Sequence, residues 1–143
     1  MKLLDRNGWK TGNIVPVPLD ELGGGNALAI GNDQDPAALL PLQASLALIA
    51  IPFPKFSDGR GFSIARALRE QGYRGTLRAT GALLPDQFAF ALQVGFDEVE
   101  ISDTQAERQP LTQWLEALTL IRESYQQGAD GAASILERRR AAA

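Results

Sequence analysis

The chain has no cysteine and no histidine, and one methionine among its 143 residues. Without thiolates it cannot ligate an iron–sulfur cluster or offer a thiol nucleophile, and without imidazole it cannot bind zinc through nitrogen or run a serine-type triad. Acid–base work falls to Asp, Glu, Lys, Tyr or water, and redox chemistry would need a bound cofactor or a partner protein. Long apolar runs are missing as well. The longest, residues 46–53, is far short of the ~18 residues of a membrane span. The opening MKLLDRNGWK lacks the apolar core of a secretory signal, so the expected compartment is the cytoplasm, with no membrane contact. A net charge of −3 gives no reason to expect nucleic-acid binding.

What is present fits one soluble α/β domain over residues 1–143, with 45% hydrophobic and 22% charged residues. Charge is uneven along it. Residues 55–81 carry Lys55, Arg60, Arg66, Arg69, Arg74 and Arg78 against Asp58 and Glu70, whereas residues 82–116 carry Arg108 alone against seven acids. The basic sector is suited to an anion and its neighbour is not.

Residues 1–25 read as an N-terminal arm, irregular or a short edge strand, that packs Trp9 on the body and ends in Gly23, Gly24 and Gly25; Pro18 removes a ladder donor and keeps any strand there at an edge. Residues 27–31 form a short apolar strand. Asp35 and Pro36 supply the cap and first-turn proline of a short helix through Leu42. Residues 46–53 are apolar on both alternating faces and form the central strand. The loop KFSDGRGFS then leads to a helix that Ser63 caps and Gly72 closes. Strands over residues 76–80 and 95–101 flank a helix over 85–94, SDTQAERQ follows as a loop, and Pro110 opens the longest helix with Trp114 on its apolar stripe. Residues 129–143 read as a flexible tail or a fraying helix.

Strands alternating with helices through short connections predict a three-layer open parallel sheet of about four strands built from successive βα units, with a half-barrel-like curl as the alternative. In either geometry the strand-to-helix loops share one edge, where ligands bind. Those loops hold FSDGRGFS, ATGALLPDQ and SDTQAER.

The loop Asp58-Gly59-Arg60-Gly61-Phe62-Ser63 has the parts of an anion site: glycines for a backbone nest, a hydroxyl at a helix start and a guanidinium fork. It matches neither the dinucleotide fingerprint nor the P-loop. A tight turn with Arg60 paired to Asp58 is the structural alternative. Arg66 and Arg69 share a helix side, and Arg78 stands mid-strand, where burial would demand a carboxylate such as Asp86 or Asp58. Asp86 and Gln87 open the next helix, either serving its dipole or facing the arginines. The acids Asp97, Glu98, Glu100 and Asp103 read as a solvated strand end or a hard-cation site.

The run FPKFSDGRGFSIARALREQGYRGTLRATGALLPDQ with the following GFDEVEI, and more loosely DRNGW at residues 5–9, closely resembles the signature of the bacterial domain-of-unknown-function family 934. Many members carry Arg-Cys ahead of Gly-Phe-Asp, where this chain has Gln93-Val94. The resemblance implies a small oxidoreductase or accessory protein of assimilatory sulfite reduction, encoded beside sulfite reductase and acting with it. No residue pattern specifies a flavin, nicotinamide or other cofactor. Two other readings stand beside this one: a non-catalytic module binding a small anion or a nucleotide phosphate at the loop edge, and a structural interaction protein that is a homo-oligomer through the Trp114 helix.

Overall fold

The computed structural model describes residues 1–12 and 14–128. Its centre is one open, six-stranded mixed sheet in the order β2-β1-β6-β5-β4-β3. The parallel part comprises β3 (Ala27–Ala29), β4 (Leu48–Phe53), β5 (Thr76–Gly81) and β6 (Glu98–Ile101), at the four places where the sequence predicts strands. The predicted count of about four is corrected to six. Of the two readings of the N-terminal arm, irregular or a short edge strand, the second is the nearer: it forms a hairpin of β1 (Lys2–Asp5) and β2 (Gly8–Lys10) with β2 at the sheet edge, and β1 pairs antiparallel with β6. Alternation is hard to read in strands this short. Trp9 stays partly exposed beneath the Lys2 ammonium, 5.2 Å from its ring centre, instead of packing into the body.

Helices α1 (Leu19–Leu22), α2 (Arg60–Glu70), α3 (Pro85–Val94), α4 (Asp103–Arg108) and α5 (Leu111–Gly128) connect and flank the strands. The short helix expected after Pro36 is two 3₁₀ turns, Pro36–Leu39 and Gln43–Ser45, the first capped by Asp35, whose carboxylate accepts from Ala37 N–H at 3.0 Å. SDTQAERQ, expected as a loop, forms α4. Ser102 caps it by accepting from Gln105 N–H at 3.1 Å. Gly72, with φ of 93°, ends α2 as anticipated; its N–H reaches the Arg69 carbonyl, and that of Tyr73 reaches Leu68. The expected flexible tail, residues 129–143, lies outside the described residues, as do the side chains of Ile121 and Tyr125 on the α5 stripe.

Because the four parallel strands lie side by side in chain order, every right-handed crossover advances in the same direction and places its helix on the same face. The packing agrees. Ile64, Ala65 and Leu68 of α2, Phe88 and Ala91 of α3 and Trp114 of α5 share one core with Ile49, Ile51, Leu77, Ala79 and Val99 of the sheet. The other face holds a separate small cluster of Ala27, Leu48 and Ala50, to which no described helix contributes. The helices that share this core thus lie on one face of an open sheet, and the antiparallel β1 and β2 correct the expectation of a purely parallel one. Among the described residues no helix is long and apolar enough to cross a membrane.

Candidate functional site

The ends of β3, β4, β5 and β6 deliver their loops to one rim, and side-chain amides join each loop to the next. Asn32 Nδ2 donates to Asp58 at 2.8 Å, Gln87 Nε2 to the Phe56 carbonyl at 2.7 Å, and Gln105 Nε2 to the Leu83 carbonyl at 2.7 Å. Gln87 also accepts from Leu84 N–H at 3.0 Å, so one side chain caps α3 and fixes the loop beside it. Asp86 is exposed in the first turn of α3.

Helix α2 begins at Arg60 with Gly59 as its cap, so Ser63 is within its first turn and is not the cap that the sequence suggested. The anion at this helix start is the protein's own. Asp58 Oδ1 accepts from Arg60 N–H at 3.1 Å, and its carboxylate takes the Arg60 guanidinium through Nε and, at 2.8 Å, Nη2. These Arg60 hydrogen bonds, the side chain's first, hold the Asp58 carboxyl down to about 2 and raise the Arg60 pKa in turn. The turn alternative describes this pair. Gly61 is buried directly against the Phe53 ring: a Cβ there would lie 2.6 Å from ring atom Cζ. It is a close-packing glycine, whereas Gly59 has a φ of −84° and room for a side chain.

Between α2 and α3 a groove of about 360 Å³ is lined by Gly59, Phe62, Ser63, Arg66, Glu70 and Phe90. Phe62 connects it to the interior, with ring centres 4.8 Å from Phe53 on one side and 4.8 Å from Phe90 on the other. Phe90 is 43% exposed and Phe56, in the loop after β4, is 56% exposed. Arg66, exposed, lines the groove with Phe62 and Phe90 and forms no ion pair among the described residues.

The remaining predicted residues lie elsewhere. Arg69 is near the opposite end of α2, where it donates to the carbonyls of Tyr73, Gly75 and Gly95 and to Asp97 at 2.8 Å. Arg78 is 2% exposed on the sheet face away from the helices. Its expected partner was Asp86 or Asp58; the structure supplies Glu98 at 3.2 Å and Glu100 at 3.7 Å, because the neighbouring strand places them beside it in register. Lys10 Nζ reaches Glu98 at 3.2 Å, and the Ile14 carbonyl accepts from Arg78 at 3.0 Å. Asp97, Glu98 and Glu100 are thus each engaged by a cation, and Asp103 pairs with the Met1 ammonium, which lowers its pKa. Trp114 is fully buried, its indole N–H donating to the Gln109 carbonyl at 2.9 Å.

Sequence reasoning missed the aromatic character of the rim. The signal was there: Phe56 and Phe62 flank the glycine loop, and Phe90 lies off the apolar stripe of α3 set by Phe88, Ala91 and Val94. A family model described as "Bacterial protein of unknown function (DUF934)" matches residues 27–136. No curated protein and no solved structure matches the chain.

Proposed function

The chain belongs to that family, and from this premise we propose that it is a non-catalytic accessory component of assimilatory sulfite reduction that works by docking its loop rim on sulfite reductase. The sulfite-reduction setting comes from the resemblance in residues 53–96; the mode of action comes from the rim. The observation that carries the reading is exposed Phe90 stacked on Phe62 in the groove that Arg66 also lines, Arg66 forming no ion pair among the described residues, with exposed Phe56 in the loop after β4. Aromatic residues and arginine are the types enriched in the buried centres of protein interfaces, where they supply large apolar area and directional donors. The stitched loops present them at low ordering cost, since each loop is already fixed to its neighbour.

An oxidoreductase role for the chain alone has weaker support, because without cysteine or histidine it offers few groups that hold redox centres. A small-anion role for the rim also has weaker support: Asp58 already occupies the start of α2, and its charge opposes a second anion there. The test is affinity capture of sulfite reductase by the full chain. Capture is expected from wild type and to fall at least tenfold for Phe90→Ser combined with Arg66→Glu, both exposed positions that leave the fold intact. A strain lacking the protein is expected to grow poorly on sulfate and accumulate sulfite. Undiminished capture by the variant, or normal growth on sulfate as sole sulfur source, overturns the proposal.

A further inference from the structure

At the other end of the sheet from the loop rim, three segments distant in sequence border an open cavity of about 490 Å³. The turn between β1 and β2 brings Arg6, the chain after α2 brings Arg74, and the connection from α3 to β6 brings Gly95 and Asp97. The volume is within the range of small-molecule sites, roughly 300–1,000 Å³. Helix α2 and helix α3 both end here, and helix C-termini ordinarily repel anions. Arg69 changes that balance. Its Nε and Nη2 donate to the Gly95 carbonyl at 3.0 and 2.8 Å, its Nη1 donates to the carbonyls of Tyr73 and Gly75 at 2.9 Å each, and Nη2 also donates to Asp97. All five N–H groups of the guanidinium are engaged. The carbonyls that would face a ligand are thereby covered by a fixed cation.

Among the described residues Asp97 is the one carboxylate lining the cavity, and its Oδ2 already accepts from Arg69 and from Leu77 N–H at 2.9 Å. Arg6 and Arg74 are exposed, and among the described residues neither forms an ion pair or a side-chain hydrogen bond. The cavity therefore combines two exposed guanidinium forks, without ion pairs among the described residues, with a floor whose negative groups are neutralised. Guanidinium forks match tetrahedral oxyanions and bind them through paired N–H donors.

The geometry points to a second recognition site: Arg6 and Arg74 hold the phosphate- or sulfate-type dianion of a small metabolite above the floor that Arg69 positions. The site uses no residue of the rim, so it stands or falls separately from the docking proposal. Calorimetry of the full chain with inorganic phosphate, sulfate and AMP, at ionic strength matched with sodium chloride, tests it. Saturable binding is expected, at least tenfold weaker in Arg6→Ala and in Arg74→Ala and unchanged in Arg66→Ala. AMP binding more tightly than the inorganic ions identifies a phosphate ester whose organic part enters the cavity; equal affinities identify the free oxyanion. Absence of saturable binding with all three probes, or unaltered affinity in a correctly folded double variant Arg6→Ala/Arg74→Ala, overturns the assignment.

Discussion

Substituting Gly61 by alanine tests how the rim is built. The added methyl group would sit 2.6 Å from Cζ and 2.9 Å from both Cε atoms of Phe53, inside any tolerable carbon–carbon contact. Phe53 cannot swing away: it is 1% exposed, with ring centres 4.8 Å from Phe62 and 5.8 Å from Phe96. Overpacking of this kind costs about 1–3 kcal/mol, and contact below 3 Å puts this site in the upper half of that range. Alanine in a helix returns about 1 kcal/mol over glycine, so the net expectation is a loss of about 1–2 kcal/mol. Urea unfolding followed by Trp114 fluorescence, in a Trp9→Phe background, measures it, since Trp114 is fully buried. Repeating the substitution with Phe53→Leu separates the two contributions: the clash disappears, the helix gain stays, and the coupling between the sites should be about 2 kcal/mol. Gly59→Ala, where the nearest atom is 4.0 Å away, provides the control and should be close to neutral. A coupling below about 0.5 kcal/mol would refute the claim that Gly61 is there for the Phe53 ring rather than for a ligand.

Other consequences concern charge. Removing one partner of the buried Arg78–Glu98 pair, as in Arg78→Met, leaves a nearly fully buried carboxylate with Lys10 as its remaining cation and should cost about 3 kcal/mol, the low end for breaking a buried pair, by denaturant unfolding. Replacing both partners with apolar residues of similar volume should recover much of that loss. With the Asp58 carboxyl held at about 2, below its unfolded value near 4, its contribution to stability is complete above pH ~4 and lost as pH falls through about 2. Thermal unfolding between pH 2 and 5 should show a shallower decline for Asp58→Asn than for wild type. Burial pushes the Tyr73 hydroxyl up to about 12, so the unfolded chain ionises first and stability should fall as pH rises from about 10 to 12. Tyr73→Phe should flatten that alkaline limb in the same assay.

The central strand was legible because residues 48–53 are a compact apolar run bounded by turn residues, and residues 76–81 because they follow a helix and its closing Gly72 after a short connection. The gathering of loops at one edge follows from the strands being parallel. The hairpin of β1 and β2 was not legible, since its strands have four and three residues and its register depends on β6 almost a hundred positions away. The destinations of the arginines were hidden for a related reason. A guanidinium announces a need for acceptors but not which ones: Arg69 found carbonyls exposed by two helix ends, and Arg78 found acids set opposite it by strand register. Glycine was ambiguous in the same way, because close packing and a backbone nest demand the same missing side chain at Gly61.

The attachment of the N-terminal arm across the sheet bears on how the protein can be dissected. The region recognised by the family model begins at residue 27, yet Lys10 reaches Glu98 and the Ile14 carbonyl reaches Arg78, both from outside that region. A fragment trimmed to residues 27–136 would bare one lateral border of β6 and leave an inward-facing acid short of a counterion. Such a fragment is a poor starting point for crystallisation or interaction screening.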